Sequence, residues 1–304
     1  MINEYSTSSS TSKSVENKKK KPLVSIVIPS WFMAEGHDGR YGSQECWLIA
    51  SECLNRLIEV TPKDLYELIL VDNGSDLTDE NVIDKKFMPS WYWKQADVLI
   101  RNEKNLGFAP AVNEGVNASK GEYILILNND IHIRKNFLEN LLKAFELPNV
   151  SPPIGAIMPN LIKKEHYRDR PELFNERGKL DTYKIMKLAD EEIRYPSKDR
   201  LESGSEFGSA FMMKRETVDK IKALNKEELG KEMFFDENFL VGFGEDRKIW
   251  NQIRLIGEQT YRTNYIRCQH IGNLSMTKIP NRQKYTSKNR EYLTEWKKKH
   301  NITN

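Results

Sequence analysis

Apolar residues come along this chain as short β-branched runs separated by stretches with helical spacing. Val24, Ile26, Val27 and Ile28 crowd into one run that stops at Pro29, and a short run apolar on both faces predicts a strand covered on both sides. Similar runs over 65–71, 97–101, 123–127, 154–158, 207–213 and 261–266 predict further strands. Between them, 43–60 places Trp47, Leu48, Ala50, Leu54, Leu57 and Ile58 at roughly three- and four-residue intervals, and 108–118, 135–145 and 245–255 also read as helices. Strands alternating with helices predict an α/β fold: a mostly parallel central sheet with right-handed crossovers and flanking helices.

Residues 1–21 are rich in Ser, Thr, Asn and Lys and offer almost nothing to bury, so they read as a flexible basic arm. One globular domain is expected over 22–275. Within it, 162–204 is dense in charge with scattered apolar positions, which predicts a surface or acceptor-side insertion. Residues 276–304 read as a basic helical tail, with 288–299 carrying Tyr292, Leu293 and Trp296.

Charge refines this division. The net charge of the 304 residues is +3, but 1–21 holds five Lys to two Glu and 277–304 eight Lys or Arg to two Glu, which leaves the body at −6. A protein that tracks a phosphate backbone carries a basic field over its body, so no nucleic-acid partner is expected. Cys46, Cys53 and Cys268 match no disulfide framework or short metal-binding pair. The sequence contains no apolar run long enough to span a bilayer and no apolar signal segment at residue 1. A cytoplasmic protein, or one peripheral at the inner face of a membrane, is expected.

In a parallel sheet, ligands collect beyond the C-terminal strand ends. That rule selects Pro29-Ser30-Trp31, Asp72-Asn73-Gly74-Ser75, the loop 102–108 and Asn128-Asn129-Asp130, each of which also suits an ordinary turn. No GxxxxGK[ST], GxGxxG after the first strand or GxSxG motif occurs, which disfavours P-loop, dinucleotide-binding and serine-hydrolase chemistry.

Taken together, Val24-Ser25-Ile26-Val27-Ile28-Pro29-Ser30-Trp31, Val71-Asp72-Asn73-Gly74-Ser75 and the stretch from Asn102 through Asn105, Gly107 and Asn113 to Gly115 resemble the ordered motifs of family 2 nucleotide-sugar-dependent glycosyltransferases. These have the GT-A fold, and the rhamnosyltransferase-like members are the most similar. The resemblance spans about 22–275. It implies an inverting transfer from a nucleotide-diphosphate sugar donor to a glycan, lipid-linked or other hydroxyl acceptor, assisted by Mg²⁺ or Mn²⁺.

Residue by residue, the resemblance implies donor contacts from Pro29, Ser30, Trp31, Asp72, Asn105, Gly107, Asn113, Asn128, Asn129, Gly208 and Ser209. Asn128-Asn129-Asp130 stands where the family carries a D-x-D-like motif and keeps only the last carboxylate; Asp130 would bind the metal, with His270 as a further ligand or phosphate donor. Glu245-Asp246 corresponds to the motif that carries the base. Asp246 is expected to be the base, with Glu245 orienting the acceptor or taking the base's role. At a helix start, two acids also suit the helix dipole.

Two other classes fit parts of this pattern. A sugar-phosphate nucleotidyltransferase also uses an α/β sheet and a metal, and a catalytically weak carbohydrate-binding protein could retain the fold with the reduced Asn128-Asn129-Asp130 motif. The basic tail suits a solvated helix, peripheral contact with an anionic membrane, or a second subunit in a homo-oligomer.

Overall fold

The structure, a computed structural model, describes residues 21–34, 43–162, 164–193, 201–204, 208–272 and 282–302. Nearly all of the 1–21 arm, Phe207 and the stretch 273–281 therefore lie outside the described residues. The first half runs β1 (Val24–Ser30), α1 (Ser43–Val60), β2 (Tyr66–Asp72), α2 (Pro89–Lys94), β3 (Val98–Arg101), α3 (Phe108–Ala118), β4 (Tyr123–Leu127), β5 (Ile131–His132) and α4 (Phe137–Phe145). The second runs β6 (Ile154–Leu161), α5 (Thr182–Met186), β7 (Leu201–Ser203), β8 (Ala210–Lys214), α6 (Arg215–Leu229), α7 (Glu245–Leu255), β9 (Gln259–His270) and α8 (Arg282–Lys299).

Strand order is β3-β2-β1-β4-β8-β6-β9-β5, with β7 paired to β9. The first four strands are parallel, as the strand–helix–strand rhythm predicts. Strand β8 then runs antiparallel to β4, with Ala210 opposite Leu127. That reversal matters for the site, because it brings the residues preceding β8 to the edge where β4 ends.

Alternation along the strands builds a core on each face of the sheet. Val24, Ile26 and Ile28 of β1 face Trp47, Leu54 and Leu57 of α1. Val27, with Ile69 and Val71 of β2, faces Ala109, Val112 and Val116 of α3. Each such Val, Leu or Ile side chain, fully buried, contributes roughly 1.5–3 kcal/mol. All three cysteines are free and buried, and burial raises the Cys53 and Cys268 thiols above their ordinary values. They behave as packed apolar groups.

The second half differs from expectation in three places. The insertion carries a small core of its own, formed by Tyr167, Leu173, Ile185, Leu188 and Ile193, because residues scattered in sequence converge when the chain folds back on itself. Helix α6 has too few apolar residues to show a helical stripe, and it buries Thr217, Val218, Ile221 and Asn225. The C-terminal helix starts earlier than expected and docks on the domain, with Leu293 and Trp296 packed against Phe239. Among the described residues no helix is long and apolar enough to cross a membrane.

Candidate active site

The parallel strands deliver their ends to one edge. Ser30 stands opposite Asp72, and Asp72 opposite Arg101. Asp72 is buried; its Oδ2 pairs with the Arg101 guanidinium at 2.8 Å, and its Oδ1 accepts from the Ser75 N–H at 3.0 Å. The Ser30 hydroxyl lies 3.0 Å from that of Tyr92. Pro29 remains within β1 opposite Val71, and Trp31 is half-buried just beyond the strand.

Next to this edge the loop 102–107 is held by Asn73, which lies in the second motif. Its Nδ2 donates to the Asn105 Oδ1 and the Gly107 carbonyl, each at 3.0 Å, and its Oδ1 accepts from the Leu106 N–H at 3.0 Å. Gly74, with φ +79°, abuts the backbone of Lys104 and Asn105 so closely that a Cβ there would overlap it. Asn105 and Gly107 are thus parts of a fixed loop. Asn113 is placed differently: its Nδ2 donates to the Phe235 carbonyl at 2.8 Å and to Glu237 at 3.0 Å, and its Oδ1 accepts from the Phe235 N–H at 2.7 Å. It ties α3 to the chain leading toward α7.

Beyond β4, the Asn128 N–H donates to the Ser209 carbonyl at 2.8 Å, and the Asn128 Oδ1 is buried without a hydrogen-bond partner. Asn129 is half-buried between them and Asp130. Asp130 is buried, and its Oδ2 accepts from the Gly272 N–H at 3.0 Å. Its Oδ1 is buried and makes no hydrogen bond; the His270 Nε2 stands 3.5 Å away. Pairing of β5 with β9, which sets Ile131 opposite His270, brings these residues together across a long sequence gap. Burial pulls the His270 imidazole down, but the Asp130 carboxylate beside it carries it above its ordinary value. Among the described residues no third His, Cys, Asp or Glu completes a cluster with this pair.

The acidic pair opens α7. Glu245 is buried with its Oε2 unpartnered, and burial and then the Asp246 charge push its carboxyl up to about 8. Burial also raises Asp246, opposed by the backbone N–H groups of the helix start; its Oδ1 accepts from the Arg247 N–H at 2.8 Å. Gly208 lies directly against Asp246. A continuous series therefore runs from Asn128 through Ser209 and Gly208 to Asp246. The loop 102–107 joins it from the other side, where the Phe108 N–H donates to the Val241 carbonyl at 3.3 Å.

The arrangement offers a fixed loop beside the strand ends, an unsatisfied carboxylate oxygen beside an imidazole, and a buried and a half-buried acid side by side. Asn73, Arg101 and Gly272 belong to it without having been singled out as site residues. Asn73 was legible within its motif, whereas Arg101 and Gly272 join only through strand register and chain reversal.

The profile of "Glycosyl transferase family 2" matches residues 44–222. The chain is 29% identical over 133 residues to the glycosyltransferase GlyG of Streptococcus pneumoniae, covering 44% of this chain and 38% of that protein. It is 30% identical over 129 residues to the uncharacterized glycosyltransferase MJ1057 of Methanocaldococcus jannaschii, covering 41% and 38%. The matched stretch thus spans less than half the length of either relative. In fold, the chain is similar to a crystal structure of GalNAc-T7 with UDP, GalNAc and Mn²⁺, at a TM-score of 0.53 and 17% identity over 95% of this chain and 55% of that one.

Proposed function

The chain belongs to glycosyl transferase family 2, and on that premise we propose that it moves a hexosyl or deoxyhexosyl unit from a nucleotide-diphosphate sugar to a hydroxyl acceptor, with inversion at the anomeric carbon. The reading is carried by one observation: two adjacent carboxyls open a helix, Glu245 buried and Asp246 half-buried, the latter against a glycine that leaves room for nothing larger. Burying such a pair costs stability. A protein that only binds carbohydrate has no need of it, whereas a group that must take a proton does.

Two adjacent carboxyls withdrawn from water do not both ionise readily. The backbone N–H groups at the start of α7 favour the Asp246 anion, while the Glu245 Oε2 has no donor. The shared proton therefore rests on Glu245, and Asp246 is the base. Asp246 takes the acceptor hydroxyl proton as the oxygen attacks the anomeric carbon, and the nucleoside diphosphate leaves from the opposite face. Neutral Glu245 can donate a hydrogen bond that orients the acceptor.

On the donor side, Asp72 and the loop held by Asn73 form the nucleotide edge, with Asn105 and Gly107 in that loop and Ser30 and Trp31 flanking it. Asn128, Asn129, Gly208 and Ser209 line the passage toward the acids. The unbonded Asp130 Oδ1 and the His270 imidazole fit a hard divalent cation, for which Mg²⁺ or Mn²⁺ sharing phosphate oxygens is the expected choice. When bound, such an ion neutralises charge on the leaving diphosphate. Two protein groups suffice if phosphate and water supply the remaining positions.

The exposed face of α8 carries Lys284, Lys288, Arg290, Lys298 and Lys299 against Glu291 and Glu295. This supports a lipid-linked saccharide met at an anionic surface as the acceptor. The function is tested by offering UDP-, GDP- and dTDP-sugars, dTDP-rhamnose included, and measuring nucleotide release with and without Mg²⁺ or Mn²⁺. Metal-dependent release from one donor class supports the reading, and none from any donor with any acceptor class counts against it.

A further inference from the structure

The backbone just before the acidic pair is held in a costly conformation. Val241, Gly242, Phe243 and Gly244 all have positive φ, at 67°, 141°, 76° and 101°. For a β-branched valine and a phenylalanine this is strained, and such geometry persists only when its surroundings over-determine it. The surroundings include one side chain from the far end of the sequence. Asn289 of α8 is 2% exposed; its Oδ1 accepts from the Leu240 N–H at 3.0 Å, and its Nδ2 faces the carbonyls of Leu240, Gly242 and Phe243 at 3.0, 2.8 and 3.0 Å. A carboxamide supplies acceptor and donors from one planar group, which few side chains can do.

The helix bearing Asn289 is anchored independently. Leu293 and Trp296 lie on the same helical face and pack on Phe239. Lys248, one turn into α7 from Glu245, is buried and donates to the Asp236 Oδ2 at 2.8 Å, which also accepts from the Tyr292 hydroxyl at 2.7 Å. Glu228 accepts from the Trp296 Nε1 at 2.9 Å and pairs with His300 at 2.7 Å. Helix α8 thus grips the acid-bearing segment twice, at the turn before it and at the first turn of the helix that carries it.

We propose that Asn289 is a positioning residue for sugar transfer, fixing the 240–244 turn so that Asp246 holds its place against Gly208 with Glu245 beside it. The inference rests on the acidic pair acting as proposed above. Asn289 touches the turn's backbone and acts through it. The donor edge meets this turn at the hydrogen bond from the Phe108 N–H to the Val241 carbonyl, and its loop is held from the other side by Asn73.

The experiment compares wild type, Asn289→Ala, Asn289→Ser, Trp296→Phe and Asp246→Asn over residues 1–304 in nucleotide release with the donor that the screen above identifies, at a temperature where each is folded. Asn289→Ala is expected to lower kcat about tenfold or more, to leave the affinity for the free nucleoside diphosphate within about twofold, and to shift the acid limb of the kcat–pH profile. Asn289→Ser, which keeps one donor, shows the same pattern more weakly and replaces the alanine variant if that does not fold. Trp296→Phe loosens the dock elsewhere; it lowers Tm and leaves kcat and the acid limb near wild type. Unchanged kcat and pH limb in the Asn289 variants, or an equal loss in Trp296→Phe, overturns the proposal.

If Asp246→Asn keeps its turnover, the acidic-pair reading itself fails; if it loses turnover while Asn289→Ala does not, only the role of Asn289 fails. If no donor is turned over, Tm against pH serves instead. The decline expected between pH 5 and 8 from the buried Glu245 should flatten in Asn289→Ala, where the relaxed turn lets water reach it, and persist in Trp296→Phe. An unflattened decline in Asn289→Ala contradicts the proposal. Arg247, Lys248, Asp236, Glu228, Tyr292 and His300, the other charged or titrating groups at this junction, are common to these proteins.

Discussion

Gly208 lies so close to Asp246 that a Cβ added to it would meet the Asp246 Oδ2 at 2.5 Å and the Asp246 Cβ at 2.8 Å. The glycine two positions before β8 therefore decides where the proposed base can stand. Replacing Gly208 with Ala would push the carboxylate aside without opening a core cavity. The expected outcome is a fall in kcat of about 100-fold, the cost of misplacing a reacting group by about 1 Å, with Tm changed little. Steady-state kinetics beside a thermal melt would check it.

The buried Glu245 makes stability depend on pH. Its folded carboxyl holds a proton up to about 8, against an ordinary value of 4.5, so between those values the folded state binds more protons than the unfolded one. Stability therefore falls as pH rises through that window. Glu245→Gln cannot ionise there. Its stability, and with it its Tm, should exceed the wild-type value increasingly from pH 5 to pH 8, the free-energy gain reaching on the order of 1–4 kcal/mol. Parallel melting curves at all pH values would contradict this.

The first half of the fold and its strand ends were legible in the sequence because each strand there is a separate β-branched run followed by a turn. Asp72, Asn105 and Gly107 come to one edge by simple alternation of strand and helix. Contacts that depend on later chain reversals were legible only through the family resemblance, not from the residue pattern. His270 reaches Asp130 through the two-residue β5, too short to leave a pattern, and Gly208 reaches Asp246 because β8 runs antiparallel. The docking of α8 was hidden for another reason. Its lysines dominate its composition, while Asn289, Leu293 and Trp296 form a narrow buried face that composition does not reveal. Asn113 illustrates the converse: it lies in a distinctive motif, yet its amide joins α3 to Phe235 and Glu237.

Asn73 is expected to govern donor affinity through the loop it holds. Asn73→Ala removes the hydrogen bonds to Asn105, Leu106 and Gly107 and leaves the buried Gly107 carbonyl without this donor, at a cost of about 1–3 kcal/mol. Donor KM should rise while the metal requirement is retained. Denaturant melts and donor titrations would measure both effects.

Removing either member of the Asp130–His270 pair should weaken divalent-ion binding. Asp130→Ala or His270→Ala is expected to lower Mn²⁺ affinity, measured by calorimetry in the presence of UDP or GDP, by at least about tenfold. Wild-type affinity in Asp130→Ala would place the ion elsewhere.

The most direct test of the account is the turnover of Asp246→Asn with the donor and acceptor that the wild-type protein uses. Asparagine keeps the size of the side chain and removes its basicity. The account predicts a loss of kcat of about 100-fold or more with nucleoside diphosphate still bound at wild-type affinity. Turnover within a few-fold of wild type would contradict it.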